Sequence, residues 1–189
     1  MDVIKRAFSA IDRKDFVPLS LRDQAHLDMP LPIGYGQTIS QPSTVQSMLE
    51  WLGPEPGEKI MDIGSGSGWT TALLVNIVQP NGYIFAVERI PQLVQIGKNN
   101  CIAIGVKNAS FFQAGKTYGL PEHAPFDRIL VSAAANDLPF ELLDQLKTGG
   151  KLVIPVHGDI LEITKTAKQG MVTVKHHGYI FVPLIEPNA

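Results

Sequence analysis

The sequence predicts an α/β fold, a doubly wound and mostly parallel sheet with antiparallel strands at its C-terminal edge. Three observations carry this. From residue 59 onward, short apolar runs of strand character alternate with helical patterns, as parallel strands joined by crossover helices require. The first of these strands leads straight into glycines at alternate positions, Gly64, Gly66 and Gly68, and then into a helix. Beyond residue 160 the strand-like runs are separated only by short turns, with no helix between them.

Residues 2–13 place Val3, Ile4, Phe8 and Ile11 near helical spacing and predict a short amphipathic helix. Residues 14–41 read as irregular, punctuated by Pro18, Pro30, Pro32, Gly34 and Gly36. Loops of that length inside a compact domain are usually functional or mobile. Pro42 suits the first turn of a helix that runs through Val45, Met48 and Leu49 to about Leu52, where Gly53-Pro54-Glu55-Pro56-Gly57 breaks it. The alternation then follows. Residues 59–63 predict a strand, 69–78 a helix, 83–87 a strand, 91–104 a helix closed by Gly105, and 109–113 a strand. Residues 128–132 predict a strand, 139–147 a helix stopped by Gly149-Gly150, and 151–155 a strand. The tail supplies three more runs, 160–166, 171–174 and 179–184. One domain over residues 1–189 is expected, with a helical and loop cap over residues 1–53 and a sheet core over residues 54–189.

Bulk properties exclude several classes. Hydrophobic residues make up 44% and charged residues 18%, a globular composition. Residues 1–95 carry 7 basic and 10 acidic groups and residues 96–189 carry 9 and 8, so neither half is a basic arm or an acidic tail. No nucleic-acid or membrane partner is expected from such a distribution. A single cysteine, Cys101, excludes an internal disulfide and a cysteine-rich zinc site. The start of the chain is charged and lacks the apolar core of a signal peptide, and no run approaches the roughly 20 apolar residues of a membrane helix. A cytoplasmic protein is expected, with no metal. His26, His123, His157, His176 and His177 share no metal-ligand spacing and read as solvated. Cys101 reads as a core residue, and Trp69 as packing at a helix start.

The segment Ile60-Met61-Asp62-Ile63-Gly64-Ser65-Gly66-Ser67-Gly68-Trp69 is the most informative. Glycine permits a tight turn and lets a ligand approach the backbone. The helix start behind it supplies free N–H groups and a positive dipole end. The dinucleotide pattern G-x-G-x-x-G would need a third glycine at 69, where Trp69 stands. The spacing G-x-G-x-G instead resembles the first motif of the class I methyltransferases, which implies S-adenosylmethionine as cofactor. Asp62 would then receive the methionine ammonium, directly or through water. Glu88 ends the next strand, 20 residues after Gly68, where a carboxylate can accept both ribose hydroxyls. Against this stand a phosphate-holding turn of flavodoxin type, a glycine loop that merely packs, and two solvated strand-end acids.

A narrower resemblance follows. Pro32-Ile33-Gly34-Tyr35-Gly36-Gln37-Thr38-Ile39-Ser40-Gln41-Pro42 is similar to the segment that the protein-L-isoaspartate (D-aspartate) O-methyltransferases carry before their first sheet strand. Ala124-Pro125-Phe126-Asp127-Arg128-Ile129, the run from Leu143 to Val156, and Phe181-Val182-Pro183-Leu184 also resemble that family, so the likeness spans about residues 16–184. It implies a seven-stranded sheet whose last two strands are exchanged relative to the common class I order. It also implies methyl transfer to the carboxyl of L-isoaspartyl or D-aspartyl residues in damaged proteins, the ester then closing to a succinimide that reopens partly to aspartate. The family's active-site serine falls on Ser40. Thr38 joins Asp62, Gly64, Ser65, Gly66, Ser67, Gly68 and Glu88 in the implied cofactor site. A monomer is implied, with isoaspartyl peptides or proteins as its partners.

The chemistry agrees with that implication. A carboxylate of pKa about 4 is ionised at pH 7 and needs no general base to attack a sulfonium methyl. Alignment and partial desolvation are what remain to be supplied, and a hydroxyl such as that of Ser40 orients an oxygen without taking a proton. Ser40 has a plainer reading too, as a polar turn residue before a helix that begins at Pro42. Two positions depart from the family's pattern. The aspartate that commonly receives the adenine amino group falls on Gly115, followed by Lys116, and Ser43 stands where a larger aromatic or histidine is frequent. These departures leave room for a methyltransferase acting on another acceptor, such as a dedicated peptide aspartate or a small molecule, and for a silent homologue that binds a protein partner.

Overall fold

Successive side chains of a strand point to opposite faces of its sheet. In β3 (Lys59–Ile63) every residue from Ile60 to Ile63 is buried, so both faces of the sheet around it must be covered. Ile60 packs into one apolar cluster, and Met61 and Ile63 into the other. The computed structural model describes residues 2–167 and 170–187.

In chain order the elements are α1 (Val3–Ala10), two 3₁₀ turns (Arg13–Phe16 and Leu19–Gln24), β1 (Leu31–Gly34), β2 (Gln37–Ile39) and α2 (Pro42–Leu52). After β3 come α3 (Trp69–Val78), β4 (Tyr83–Glu88), α4 (Pro91–Ala103) and β5 (Ala109–Gln113). A 3₁₀ turn at Pro121–His123, β6 (Phe126–Val131), α5 (Phe140–Asp144), β7 (Leu146–Val156), β8 (Asp159–Lys165) and β9 (Met171–His177) complete the series. The main sheet has seven strands in the order β5-β4-β3-β6-β7-β8-β9. Neighbours from β5 to β7 are parallel, while β8 and β9 run antiparallel at the edge. The sixth strand therefore lies between the fifth and the last, the exchanged arrangement that the resemblance implies. From β3 the chain winds out to β4 and β5, then crosses back to β6 on the other side of β3. The crevice at the carboxyl ends is thus a topological switch point, where open α/β sheets bind ligands.

The two faces are covered unequally. Helices α1 to α4 pack one face through Ile4, Ala7, Met48, Leu49, Leu73 and Leu93. The other face is covered by the short α5, through Leu142, and by the chain around Leu120. Helix α2 begins at Pro42 and ends at Gly53, whose positive φ of 59° lets its N–H close on the Leu49 carbonyl. No side chain of its own caps its start. Asp28 Oδ1 does so from a distance by accepting the Ser43 N–H at 2.9 Å.

The structure corrects four expectations. Residues 31–39, read as irregular, form the β1–β2 hairpin, whose turn residues Tyr35 and Gly36 both have positive φ, 55° and 71°. Those values fit a primed hairpin turn. Helix α5 spans five residues only, because β7 already starts at Leu146 and runs through Gly149 and Gly150. Residues 179–184 join no sheet. Gly178, with φ of 92°, turns the chain back over the carboxyl ends, where Val182 and Leu184 exchange backbone hydrogen bonds with Ala134. Finally, His176 and His123 are only partly exposed: His176 stacks on Trp51 with ring centroids 3.6 Å apart, and His123 packs against Phe85 and Phe112.

Candidate active site

At the end of β3 the chain makes its turn through glycines whose φ values are all positive: 77° at Gly64, 51° at Gly66 and 89° at Gly68. L-residues rarely adopt that region. The Gly64 N–H bonds to the Val87 carbonyl at 2.8 Å, so the loop is tied to the next strand. At Gly68 a Cβ would lie 2.8 Å from the Gly97 carbonyl oxygen and 3.1 Å from Cys101 Sγ. The start of α3 can therefore press against α4 only because residue 68 has no side chain. No side chain caps α3, whose first amides and positive dipole end stay with the loop.

Glu88, 8% exposed, ends β4 opposite this loop. Its Oε2 accepts the Gly66 N–H at 3.0 Å and its Oε1 the Ile90 N–H at 2.9 Å. The carboxylate is thus fixed at the mouth of a cavity of about 520 Å³ that it lines with Thr38, Gly64, Gly66, Tyr118, Ser132 and Val182, among others. That volume falls within the ~300–1,000 Å³ typical of cofactor and ligand sites. A second hollow of about 30 Å³ adjoins it and shares Thr38, Gly64, Gly66 and Ser132 as walls. Ile39, Ser40, Ser65, Ser67, Trp69 and Thr70 complete its lining. Ser40 is half-buried and Thr38 exposed.

Asp62 behaves differently. It is fully buried, lines neither cavity, and accepts a hydrogen bond from Thr71 Oγ1 at 2.6 Å. Burial pushes its carboxyl up to about 7; the Thr71 hydroxyl opposes this and the nearby Glu88 adds to it. A direct contact with a ligand's ammonium group, one of the two routes expected from the sequence, is closed in this conformation. Asp62 Oδ1 and Ser65 Oγ are both buried without a protein partner, which leaves unsatisfied polar atoms at the end of β3 and on the loop that follows. Among the described residues no group of three His, Cys, Asp or Glu side chains could hold a metal ion.

A glycine cradle, a strand-end carboxylate held by two amides and a crevice of cofactor size fit a nucleoside-containing ligand. Residues 1–189 match the family "Protein-L-isoaspartate(D-aspartate) O-methyltransferase (PCMT)". The chain belongs to that family. A Methanopyrus kandleri protein-L-isoaspartate O-methyltransferase is 44% identical over 187 residues, covering 96% of this chain and 83% of that one. A solved protein-L-isoaspartate O-methyltransferase superimposes with a TM-score of 0.89 at 27% identity, covering 99% of this chain and 62% of the other. A Plasmodium falciparum structure described as a protein-L-isoaspartate O-methyltransferase in complex with S-adenosyl-L-homocysteine superimposes at 0.86 with 28% identity, covering 98% and 91%.

Within this isoaspartyl methyltransferase fold, the loop after β5 forms the far wall of the cavity through Gln113, Gly115, Thr117 and Tyr118. Gln145 braces that loop: its Nε2 donates to the Tyr118 carbonyl at 2.8 Å and its Oε1 accepts the Leu120 N–H at 2.8 Å. Gly115 has no positive φ, and a Cβ there would meet nothing within 4 Å. The departure from the family's pattern is therefore not imposed by space or backbone. Burial, then Glu186 and Glu141, raise the Tyr118 phenol above its ordinary value. The sequence reading left out the walls supplied by Ser132, Tyr118 and residues 182–187. Ser132 follows β6 at the same sheet edge as the glycine loop, a register that topology would have revealed. The tail carried no signal, because its apolar alternation reads as one more strand.

Proposed function

We propose that this protein transfers a methyl group from S-adenosylmethionine to the carboxyl of L-isoaspartyl or D-aspartyl residues in proteins. One observation carries the reading. In a chain that belongs to the isoaspartyl methyltransferase family, the hollow lined by Ser40 shares its walls with the crevice lined by Glu88 and the glycine loop. A carboxylate held at Ser40 thus lies next to the place where a nucleoside bound by Glu88 would end.

When bound, S-adenosylmethionine supplies a sulfonium-activated methyl group. Glu88 would take the ribose hydroxyls. Gly64, Gly66 and Gly68 give room for close approach, with Ser65 and Ser67 between them, while the amides of residues 64, 65, 66 and 68 are already spent on protein acceptors; Thr38 would wall the methionine end. Asp62, buried behind the loop, would act on an ammonium group through water. The incoming carboxylate is already ionised at neutral pH, so no residue need remove a proton from it. Ser40 donates its hydroxyl hydrogen to one carboxylate oxygen and leaves the other free to attack. The 1–53 segment serves as the cap that carries Ser40, and residues 54–189 serve as the cofactor core. The protein is read as a cytoplasmic monomer whose partner is the damaged polypeptide; the even spread of charge gives no support to a nucleic-acid or membrane partner.

The test compares an isoaspartyl peptide with its aspartyl twin, each incubated with methyl-labelled cofactor. Labelling confined to the isoaspartyl peptide is expected, and equal labelling of both refutes the substrate assignment. Gly115 favours a second reading, a different acceptor with a differently held cofactor. Faster turnover of another carboxylate in the same assay would select it.

A further inference from the structure

Arg13 is 5% exposed, and its guanidinium lies under the segment that leads to Ser40. Its Nη1 donates to the carbonyls of Ala25 at 3.0 Å and Leu27 at 3.2 Å. Its Nη2 donates to those of Met29 at 2.8 Å, Ser40 at 3.0 Å and, more weakly, Ile39 at 3.4 Å. Five carbonyls from residues 25 to 40 therefore converge on one side chain. None of its partners is a carboxylate; Asp28, the nearest acid to influence it, spends its oxygens on Ser43 and Gln41. The same guanidinium lies 5.5 Å from the ring centroid of Trp69, the first residue of α3. One rigid fork thus touches both the backbone of Ser40 and the helix that starts from the glycine loop.

This arrangement exceeds what packing a loop requires. Residues 25–30 have no regular structure, and a chain of that kind is held by whatever satisfies its carbonyls. Collecting the Ile39 and Ser40 carbonyls in the same fork holds the backbone on both sides of Ser40. Just beyond it Asp28 accepts the Ser43 N–H and the side-chain amide of Gln41. A planar guanidinium sets these directions, whereas an ammonium of the same charge would not.

We propose that Arg13 is a positioning residue for methyl transfer, fixing Ser40 relative to the glycine loop by gathering the Ile39 and Ser40 carbonyls while packing on Trp69. The proposal rests on the reading of Ser40 given above. Arg13 touches neither cofactor nor substrate, since it lines neither the crevice nor the hollow.

A double-mutant cycle tests it, using the full chain, an isoaspartyl peptide and saturating S-adenosylmethionine, with Arg13→Lys and Ser40→Ala made singly and together. Arg13→Lys is expected to lower kcat about 10- to 100-fold, the scale of a misplacement near 1 Å. KM for the peptide and the calorimetric affinity for S-adenosylhomocysteine should stay within about threefold of wild type. In the Ser40→Ala background the same substitution should cost less than about threefold, because the group it positions is gone. Costs that multiply, or a loss of cofactor affinity matching the loss of kcat, would show that Arg13 only supports the fold and would overturn the inference. Should Arg13→Lys not fold, Arg13→Gln takes its place; failure of both to fold overturns it equally. An unaltered kcat for Ser40→Ala alone refutes the serine assignment instead, which keeps the two failures apart.

Discussion

At Asp62 the folded chain keeps a carboxyl that titrates near 7 in place of its ordinary 3.8, chiefly through burial. The folded state then binds a proton that the unfolded state has released, so stability falls as pH rises between those values. The contribution is complete below about pH 4 and gone above about pH 7, and by linkage it amounts to roughly 4 kcal/mol. Urea midpoints of the cofactor-free protein should drop between pH 5 and 8, and Asp62→Asn should flatten that slope. Equal slopes in the two proteins would contradict the assignment. At Gly115 the expectation runs toward tighter binding. The position accepts a side chain without strain or contact, so Gly115→Asp should bind S-adenosylhomocysteine about three- to tenfold more tightly, through one charge-assisted hydrogen bond to the adenine amine. Calorimetry decides, and unchanged affinity would mean that the amine is already satisfied. At Ser40, replacement by alanine should lower kcat with little change in cofactor affinity.

At the scale of elements, the glycine loop shows how one missing Cβ lets two helices meet. Gly68→Ala would force a left-handed conformation and a 2.8 Å approach to the Gly97 carbonyl, costing roughly 2–4 kcal/mol. Gly64→Ala meets its nearest backbone atom at 3.6 Å and should cost only about 1–2 kcal/mol of backbone strain. Denaturant curves for the two variants test the difference, and equal losses would argue against a packing role for Gly68. The elements that sequence revealed are those whose periodicity has a local cause. β3, α2, α3 and β5 carry clear apolar patterns, α2 bounded by Pro42 and Gly53 and α3 preceded by Gly68, and the structure places them within the expected bounds. The β1–β2 hairpin escaped because Pro32, Gly34 and Gly36 look like punctuation, although Tyr35-Gly36 is the turn itself. The 179–184 run has strand composition, yet its hydrogen bonds go to Ala134, a partner that no local pattern names. Much the same holds at the site. Glu88 and the glycine loop were legible from their spacing. Arg13 was not, because a lone arginine at the end of an expected surface helix ordinarily faces solvent, and its carbonyl partners are 12 to 27 residues away.

For the molecule as a whole, the last described residues close the site that the first fifty open. Val182 to Pro187 wall the cavity, and Leu184 packs on the cluster opposite the main helices. A chain ending at His177 should still fold on its two clusters, but bind S-adenosylhomocysteine at least about tenfold more weakly, since one wall of its crevice is gone. Binding undiminished by the truncation would refute that role for the tail. The two-faced core also encloses Cys101, 1% exposed against Gly68, with burial and the neighbouring Asp62 pushing its thiol up to about 12. Thiolates, not thiols, react with peroxides and alkylating agents. The folded protein therefore presents no sulfhydryl to chemical attack, and iodoacetamide should modify it only after denaturant has opened the core. A catalyst that acts on isoaspartyl residues is in this respect insulated from attack on its own sulfur.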